Sequence, residues 1–183
     1  ERMFELMPDS AFLLDWLGTI ILVANVLLWV LLNFPQNPTG YTATESEGDE
    51  IVRILTAAAR NGTRVIAAFD DAYFGLFYAP EALRESLFAR LADADPRLLA
   101  VKLDGATKEN LVWGFRVGFL TFASRGLSGK EGVYEALTQK VLGAVRSSVS
   151  NSSMLSQSLL LEAMRSPVYA EEKSRVLAML RER

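Results

Sequence analysis

The stretch that decides the fold is Asp104-Gly-Ala-Thr-Lys-Glu-Asn-Leu-Val-Trp-Gly-Phe-Arg-Val-Gly118. It follows the short apolar run Leu98–Leu103, which is bounded by a proline and a glycine and therefore predicts a buried strand. The small residues at 105–107 let the backbone turn close to a bound group. Lys108 then stands where the strand ends, and an amine in a shielded pocket can form a Schiff base with a carbonyl cofactor. Arg116 follows between two glycines, and the planar donors of an arginine suit a phosphate.

Three motifs, taken in order, resemble those of one enzyme family. Gly105-Ala-Thr-Lys108, then seven residues and Arg116-Val-Gly118, resembles the lysine signature of the class I/II aminotransferases, the fold-type I enzymes that use pyridoxal phosphate (PLP). Asn37-Pro-Thr-Gly40 resembles the Asn-Pro-x-Gly turn of that family, and Asp70-Asp-Ala-Tyr73 resembles its Asp-x-Ala-Tyr strand end. The resemblance implies a PLP-dependent aminotransferase, or its central fragment, which transfers an amino group between an amino acid and a 2-oxo acid through a lysine Schiff base.

The same resemblance implies roles for individual residues. Lys108 would be the catalytic residue, which holds PLP and then moves the proton from the substrate's α-carbon. Asp70 would keep the pyridine nitrogen of PLP protonated, whereas Asp71 occupies a variable position of the motif. Asn37 and Tyr73 would contact the 3′-oxygen of the ring. The other cofactor-binding candidates surround the lysine in sequence and are Gly105, Thr107 and Arg116.

Two family contacts match less closely. The family often has a hydroxyl where Gly105 stands, so one phosphate contact is in question and Thr107 carries the nearest hydroxyl. In the family a Ser-Asn pair approaches the active site of the partner subunit, which makes Ser150 and Asn151 substrate-site candidates in a homodimer. On composition alone, the serine-rich stretch at 147–153 is typical of a flexible linker.

Composition limits the chemistry. The chain has 183 residues, a net charge of −3, and neither cysteine nor histidine. Disulfides, thiolate metal sites and histidine catalysis are thereby excluded, and we expect no metal. The absence of a basic excess argues against nucleic acid as a partner. Proton transfer would therefore depend on a lysine, a carboxylate or a tyrosine. Separately, we expect the protein to be cytoplasmic.

The apolar run from Trp16 to Leu32 admits two interpretations. It reaches the short limit of a membrane span, with tryptophans placed like interfacial anchors. The alternative divides it into two buried strands, Thr19–Val23 and Val26–Phe34, since strands inside a parallel sheet are continuously hydrophobic. We favour the strands, because the second one leads directly into the Asn-Pro-x-Gly turn. Before Val30 we find no resemblance to the family.

The remaining pattern indicates an α/β fold with a mostly parallel sheet flanked by helices, because predicted strands and helices alternate. It resembles part of the aspartate aminotransferase-like large domain of PLP-dependent transferases. We expect a surface helix over Pro80–Ala94, and a strand over Phe115–Phe122 that carries Arg116. Ligands of such sheets bind beyond the carboxyl ends of the strands, where the three motifs fall.

We divide the chain into an N-terminal segment of uncertain origin (1–29), a PLP-binding large-domain core (30–150) and helices leading toward a small domain (151–183). Family members are usually much longer. Their phosphate-binding glycine turn, their ring-stacking aromatic residue and their carboxylate-binding arginine have no counterpart that we can find. Two alternatives stay open: a PLP-dependent lyase or decarboxylase of the same fold, or a catalytically silent, truncated domain, which could attach to a membrane through Trp16–Leu32.

Overall fold

The computed structural model describes residues 27–182, and its centre is a four-stranded β-sheet. The strands β1 (Leu27–Asn33), β2 (Arg64–Asp70), β3 (Leu98–Gly105) and β4 (Gly118–Ala123) lie side by side in that order. β1, β2 and β3 are parallel, whereas β4 runs antiparallel to β3. The mostly parallel sheet expected from the sequence is therefore confirmed.

Helices connect the strands and continue the chain beyond the sheet. They are α1 (Glu45–Arg60), α2 (Leu87–Leu91), α3 (Ala106–Glu109), α4 (Glu131–Ser148), α5 (Met154–Arg165) and α6 (Tyr169–Arg181), with a 3₁₀ turn at Arg125–Leu127. Among residues 27–182, no helix is both long enough and apolar enough to cross a membrane.

The described end of the long apolar run is a strand. β1 begins at Leu27 and pairs along its whole length with β2, from Leu27 opposite Arg64 to Asn33 opposite Asp70. The strand predicted over Val26–Phe34 is therefore present, and it extends across the proposed domain boundary between residues 29 and 30. The other predicted strand, Thr19–Val23, lies outside the described residues.

The core lies between one face of the sheet and the helices α1 and α2. Side chains alternate between the two faces of a strand. In β2 the side chains that face the helices are buried, and the side chains between them, which face the other way, are half-buried. The buried cluster consists of Leu55, Ala59, Val65, Ala67, Phe69, Leu83, Leu87, Leu91, Leu98 and Ala100. Each fully buried leucine or phenylalanine contributes about 1.5–3 kcal/mol to the stability of the fold relative to an exposed one. This layer therefore stabilises the sheet and, with it, the positions of the strand ends.

Side chains cap the start of the helix α1, and the chain turns directly after its end. The hydroxyl of Thr44 accepts a hydrogen bond from the backbone N–H of Glu47, and the Glu47 carboxylate accepts one from the backbone N–H of Thr44. This reciprocal capping box satisfies N–H groups that have no partner inside the helix. At the other end the chain turns through Asn61 and through Gly62, whose φ is +99°.

The surface helix expected over Pro80–Ala94 is wrong in extent, since only Leu87–Leu91 is helical. Before it, the backbone N–H of Leu83 bonds the carbonyl of Ala43 at 2.8 Å, which holds this part of the segment extended against the loop preceding α1. The hydroxyl of Ser86 accepts from the N–H of Phe88 and so caps the helix at its true start. Apolar spacing alone did not reveal this tertiary contact, which overrides local helix preference.

Candidate active site

The three motifs meet at one edge of the sheet. Asn33 ends β1 and lies opposite Asp70, the last residue of β2. Asp70 lies in turn opposite Leu103, two residues before the end of β3. Because the carboxyl ends of parallel strands share an edge, the loops that carry Asn37, Tyr73 and Lys108 all leave the sheet on the same side.

A surface recess of about 430 Å³ opens beside the lysine. Its lining comes from the loop after β2, the end of β3, α3 and the approach to β4: Ala72, Tyr73, Asp104, Gly105, Thr107, Lys108, Arg116, Val117 and Gly118. The ammonium nitrogen of Lys108 lies 5.3 Å from the centre of the Tyr73 ring, within range of a cation–π interaction. Five predicted site residues, namely Tyr73, Gly105, Thr107, Lys108 and Arg116, thus line one concave surface.

Arg116 reaches the recess from a strained loop rather than from a strand. The predicted strand over Phe115–Phe122 begins only at Gly118, two residues beyond the arginine. Arg116 has a φ of 53°, in the left-handed region that residues other than glycine rarely adopt. Such strain costs about 1–3 kcal/mol and persists where the surroundings impose it. Here the next residue, Val117, is buried against Ala106 and Leu160.

The Asn-Pro-x-Gly turn contacts the loop after β2 through side chains. The amide nitrogen of Asn37 donates to the Tyr73 hydroxyl at 3.0 Å. Asn33, which our sequence analysis did not select, connects the two loops below this contact. Its side-chain amide donates to the backbone carbonyl of Asp70 at 2.7 Å, and its oxygen accepts from the backbone N–H of Asn37 at 3.2 Å. The sequence feature that could have identified Asn33 is that it is a polar residue at the end of an apolar strand.

The two aspartates after β2 lie in different environments. Asp70 is half-buried, and its side-chain oxygen accepts from the backbone N–H of Ala72 at 3.2 Å. It is not among the residues that line the recess. Asp71 is buried on the core side of the sheet, where it accepts from the Ser86 hydroxyl at 2.6 Å and lies 3.7 Å from the Lys102 ammonium. The variable position of the motif is thus a buried structural carboxylate.

Burial raises the pKa of the Asp71 carboxyl above its ordinary value. The Ser86 hydrogen bond and the Lys102 charge oppose this shift, while the carboxylates of Asp104 and Asp70 add to it. Lys102 is held mainly by Asp104, at 2.6 Å. The ammonium of Lys102 therefore belongs to an ion-pair cluster with Asp71 and Asp104, and Lys102 is not among the residues that line the recess.

The Ser150–Asn151 pair lies apart from the recess. Both residues are exposed, and the Ser150 hydroxyl accepts from the guanidinium of Arg146 at 2.9 Å. Ser150 has a φ of 72°, so the chain turns sharply between α4 and α5. The structure does not bring this pair to the other predicted site residues of the same chain, and its role toward a partner subunit stays a prediction.

The lysine, arginine and tyrosine side chains line one recess at the carboxyl edge of the sheet, and the asparagine bonds the tyrosine. Residues 15–182 match the family described as "Aminotransferase class I and II". The chain belongs to this family. Because the match begins at residue 15, our expectation that the resemblance starts near Val30 is wrong. The earlier residues are mainly apolar and carry none of the distinctive motif residues, which is why the motif search missed them.

Known proteins with related sequences and folds agree with this family membership. A probable N-acetyl-LL-diaminopimelate aminotransferase of Bacillus subtilis is 29% identical over 135 residues, which make up 74% of this chain and 28% of that protein. An aminotransferase from Anaerococcus prevotii superposes with a TM-score of 0.68 at 22% identity, over 84% of this chain and 37% of that one. An aromatic-amino-acid aminotransferase of Burkholderia pseudomallei, described as covalently bound to pyridoxal phosphate, gives 0.63 at 21% identity, over 88% and 39%. These two structures share the fold, and the chain spans well under half of each relative's length.

Proposed function

We propose that this protein uses PLP, held at Lys108, to transfer an amino group between an amino acid and a 2-oxo acid. The observation that carries the proposal is one recess lined by Lys108, Arg116 and Tyr73, although Tyr73 belongs to a different motif and precedes the other two on another strand end. Family membership supports the same reaction class. The full activity is a proposal, because the chain covers only part of its relatives.

The residues of the recess fit PLP in size and in chemistry. A volume of about 430 Å³ lies within the range of about 300–1,000 Å³ that small-molecule sites occupy. Lys108 provides an amine for the aldehyde of PLP, and Arg116 provides a guanidinium for its phosphate. Thr107 and the backbone around Gly105 are the other candidates for phosphate contacts. When bound, PLP supplies an electron sink for the negative charge that develops on the substrate's α-carbon.

The chain's own residues then have separate tasks. Asp70 would pair with the pyridine nitrogen and keep a proton on it. Asn37 and Tyr73 already share a hydrogen bond, and together they would hold the 3′-oxygen of the ring. Lys108 is our candidate for proton transfer, because the sequence has no histidine and lysine is the amine within the recess.

We extend the proposal to assembly and location from the family resemblance alone. We propose a cytoplasmic homodimer in which Ser150 and Asn151 approach the partner subunit's site. Their exposure on a sharp turn is compatible with such a contact. The division into a cofactor-binding core and helices leading to a small domain is part of the same proposal.

The test is site-specific trapping of PLP. The protein is titrated with PLP, followed by absorbance, reduced with borohydride and digested for peptide mapping. We expect the cofactor mass on Lys108 and its loss in Lys108→Met, with Lys130→Met as the matched control that still labels. A label on Lys102 or Lys130 in place of Lys108 would overturn the assignment. Amino-group exchange between an amino acid and a 2-oxo acid by the intact protein then distinguishes a transaminase from a lyase or decarboxylase.

A further inference from the structure

The two C-terminal helices hold the short turn that carries Lys108. Leu160 of α5 is buried in a small cluster with Ala106 and Val117, which lie on either side of the lysine in sequence. From α6, the Tyr169 hydroxyl donates to the side-chain oxygen of Asn110. Apolar contact thus seats the turn, and polar contact holds the residues immediately after the lysine.

A second residue of α6 strengthens this contact. The ammonium of Lys173 lies 3.1 Å from a carboxylate oxygen of Glu109 and 3.4 Å from the side-chain oxygen of Asn110. The Lys173 side chain is 24% exposed and that of Glu109 is 39% exposed. Lys173 also lies 5.8 Å from the centre of the Tyr169 ring. The ion pair of Lys173 and Glu109 is thus partly shielded from solvent. Together with Tyr169 and Asn110 it forms a compact group.

The lysine turn depends on such external support. The helix α3 has only four residues, and no side chain caps its start at Gly105. Immediately after Asn110, Leu111 has a φ of 58°, a left-handed conformation that is costly for a leucine. A four-residue helix is not stable by itself, because helix nucleation is unfavourable and few hydrogen bonds follow it. The contacts of Glu109 and Asn110 with α6 are the polar contacts placed to fix its orientation.

The same group touches the loop that carries Tyr73. Gly75 has a φ of +89°, and a Cβ added there would lie 3.4 Å from the Cγ atom of Glu109. The aliphatic part of Glu109 therefore lies directly against this loop, while its carboxylate bonds Lys173. The Tyr73 loop, the lysine turn and α6 meet at one side chain.

We propose that Tyr169 and Lys173 are positioning residues for Lys108, which hold its turn through Asn110 and Glu109 and so direct the amine into the recess. The consequence for PLP rests on the function proposed above. The mechanical part does not, since it concerns only how α6 orders residues 106–112. Tyr169 is 59 positions from Asn110 and Lys173 is 64 positions from Glu109, so distant parts of the chain would determine the geometry of Lys108.

The experiment compares Tyr169→Phe, Lys173→Met and the double variant with the parent protein. Arg175→Met is the matched control, because it removes an exposed positive charge from the same helix. Hydrogen–deuterium exchange is measured for residues 106–112 and, as an internal reference, for β3. We expect each single change to speed exchange of residues 106–112 by about fivefold, as the loss of one hydrogen bond would, and to leave β3 unchanged. Lys173→Arg should restore protection.

The second readout is the rate at which PLP becomes fixed to Lys108 under borohydride, which should fall by about fivefold to tenfold in the two variants. Unchanged exchange of residues 106–112 in the double variant would overturn the inference, as would equal effects of Arg175→Met. Failure of Lys173→Arg to restore protection would overturn the role of the charged contact. If the parent protein is never labelled at Lys108, the proposed function fails, whereas the exchange experiment still decides how the turn is held.

Discussion

Asn37 and Tyr73, which are 36 positions apart in sequence, share a 3.0 Å hydrogen bond from the asparagine amide to the tyrosine hydroxyl. The contact joins two loops that leave adjacent parallel strands, and Asn33 supports it from below through the carbonyl of Asp70. Two donors that would serve one ring oxygen are therefore adjacent to each other. Side chains that hold each other in place lose less conformational freedom on binding, which favours affinity.

The first prediction concerns this pair. Tyr73→Phe and Asn37→Ala should each weaken PLP binding by about threefold to tenfold, since each removes one hydrogen bond worth about 0.5–1.5 kcal/mol. The double variant should lose less than the product of the two effects, because both residues act on the same atom. Absorbance titration with PLP measures all four affinities. Strictly multiplicative losses would show that the two residues do not share a target.

Much of this arrangement was predictable from the sequence, and the reason is geometric. Asn37, Tyr73 and Lys108 each follow an apolar strand, and parallel strands bring their carboxyl ends to one edge. The sequence did not reveal Asn33, Tyr169 or Lys173, because their partners are distant and no local spacing encodes those contacts. The left-handed backbone of Arg116 was also invisible, since residue type alone indicates a positive φ only for glycine and a few polar residues.

The second prediction separates the two aspartates after β2. Asp70→Asn should weaken PLP binding and change its absorbance while the free energy of unfolding stays close to that of the parent. Asp71→Ala should lower the free energy of unfolding by about 1–3 kcal/mol, because Ser86 loses its acceptor and Lys102 loses a buried counter-charge. Because Asp71 occupies a variable position of the motif, we expect Asp71→Ala to change PLP binding and the PLP spectrum little. Urea unfolding with and without PLP measures both effects, and equal losses of stability in the two variants would contradict the assignment.

The third prediction follows from the raised pKa of Asp71. A folded-state pKa above the unfolded value means that the folded protein holds this proton more tightly, so the stability it contributes is present at low pH and is lost as the pH rises through the raised pKa. The window therefore begins near the ordinary value of 3.8 and extends upward. Asp71→Asn keeps an acceptor for Ser86 but cannot ionise. Its stability relative to the parent should increase as the pH rises through this window, and a difference that is constant with pH would contradict the prediction.

The fourth prediction tests Arg116 as the phosphate ligand. Arg116→Gly should unfold at the same or a slightly higher denaturant concentration, because glycine adopts a φ of 53° without strain. It should nevertheless bind PLP at least tenfold more weakly, since a charged hydrogen bond is worth about 1.5–3 kcal/mol. Pyridoxal lacks the phosphate, so its affinity should be nearly the same for parent and variant. A parallel loss for both ligands would show that Arg116 shapes the recess and does not bind the phosphate.

The last prediction concerns the face of the sheet opposite the core. Trp29 and Leu31 of β1 lie on this face and are 67% and 69% exposed, and both are large apolar side chains on one strand. Exposed apolar patches favour association, so we expect the protein with this sequence to form oligomers or to be poorly soluble.

Trp29→Thr combined with Leu31→Thr should shift sedimentation toward monomer, because threonine is polar and still favours a strand. Leu155→Ser is the control, since Leu155 is 68% exposed but lies on the helix α5 and not on a strand of the sheet. If the control disperses the protein as well as the double variant does, association depends on general hydrophobicity and not on this face. If the parent is a monodisperse monomer that turns over at about 10 s⁻¹, as ordinary enzymes do, the exposed face is not a liability and this chain alone performs the reaction.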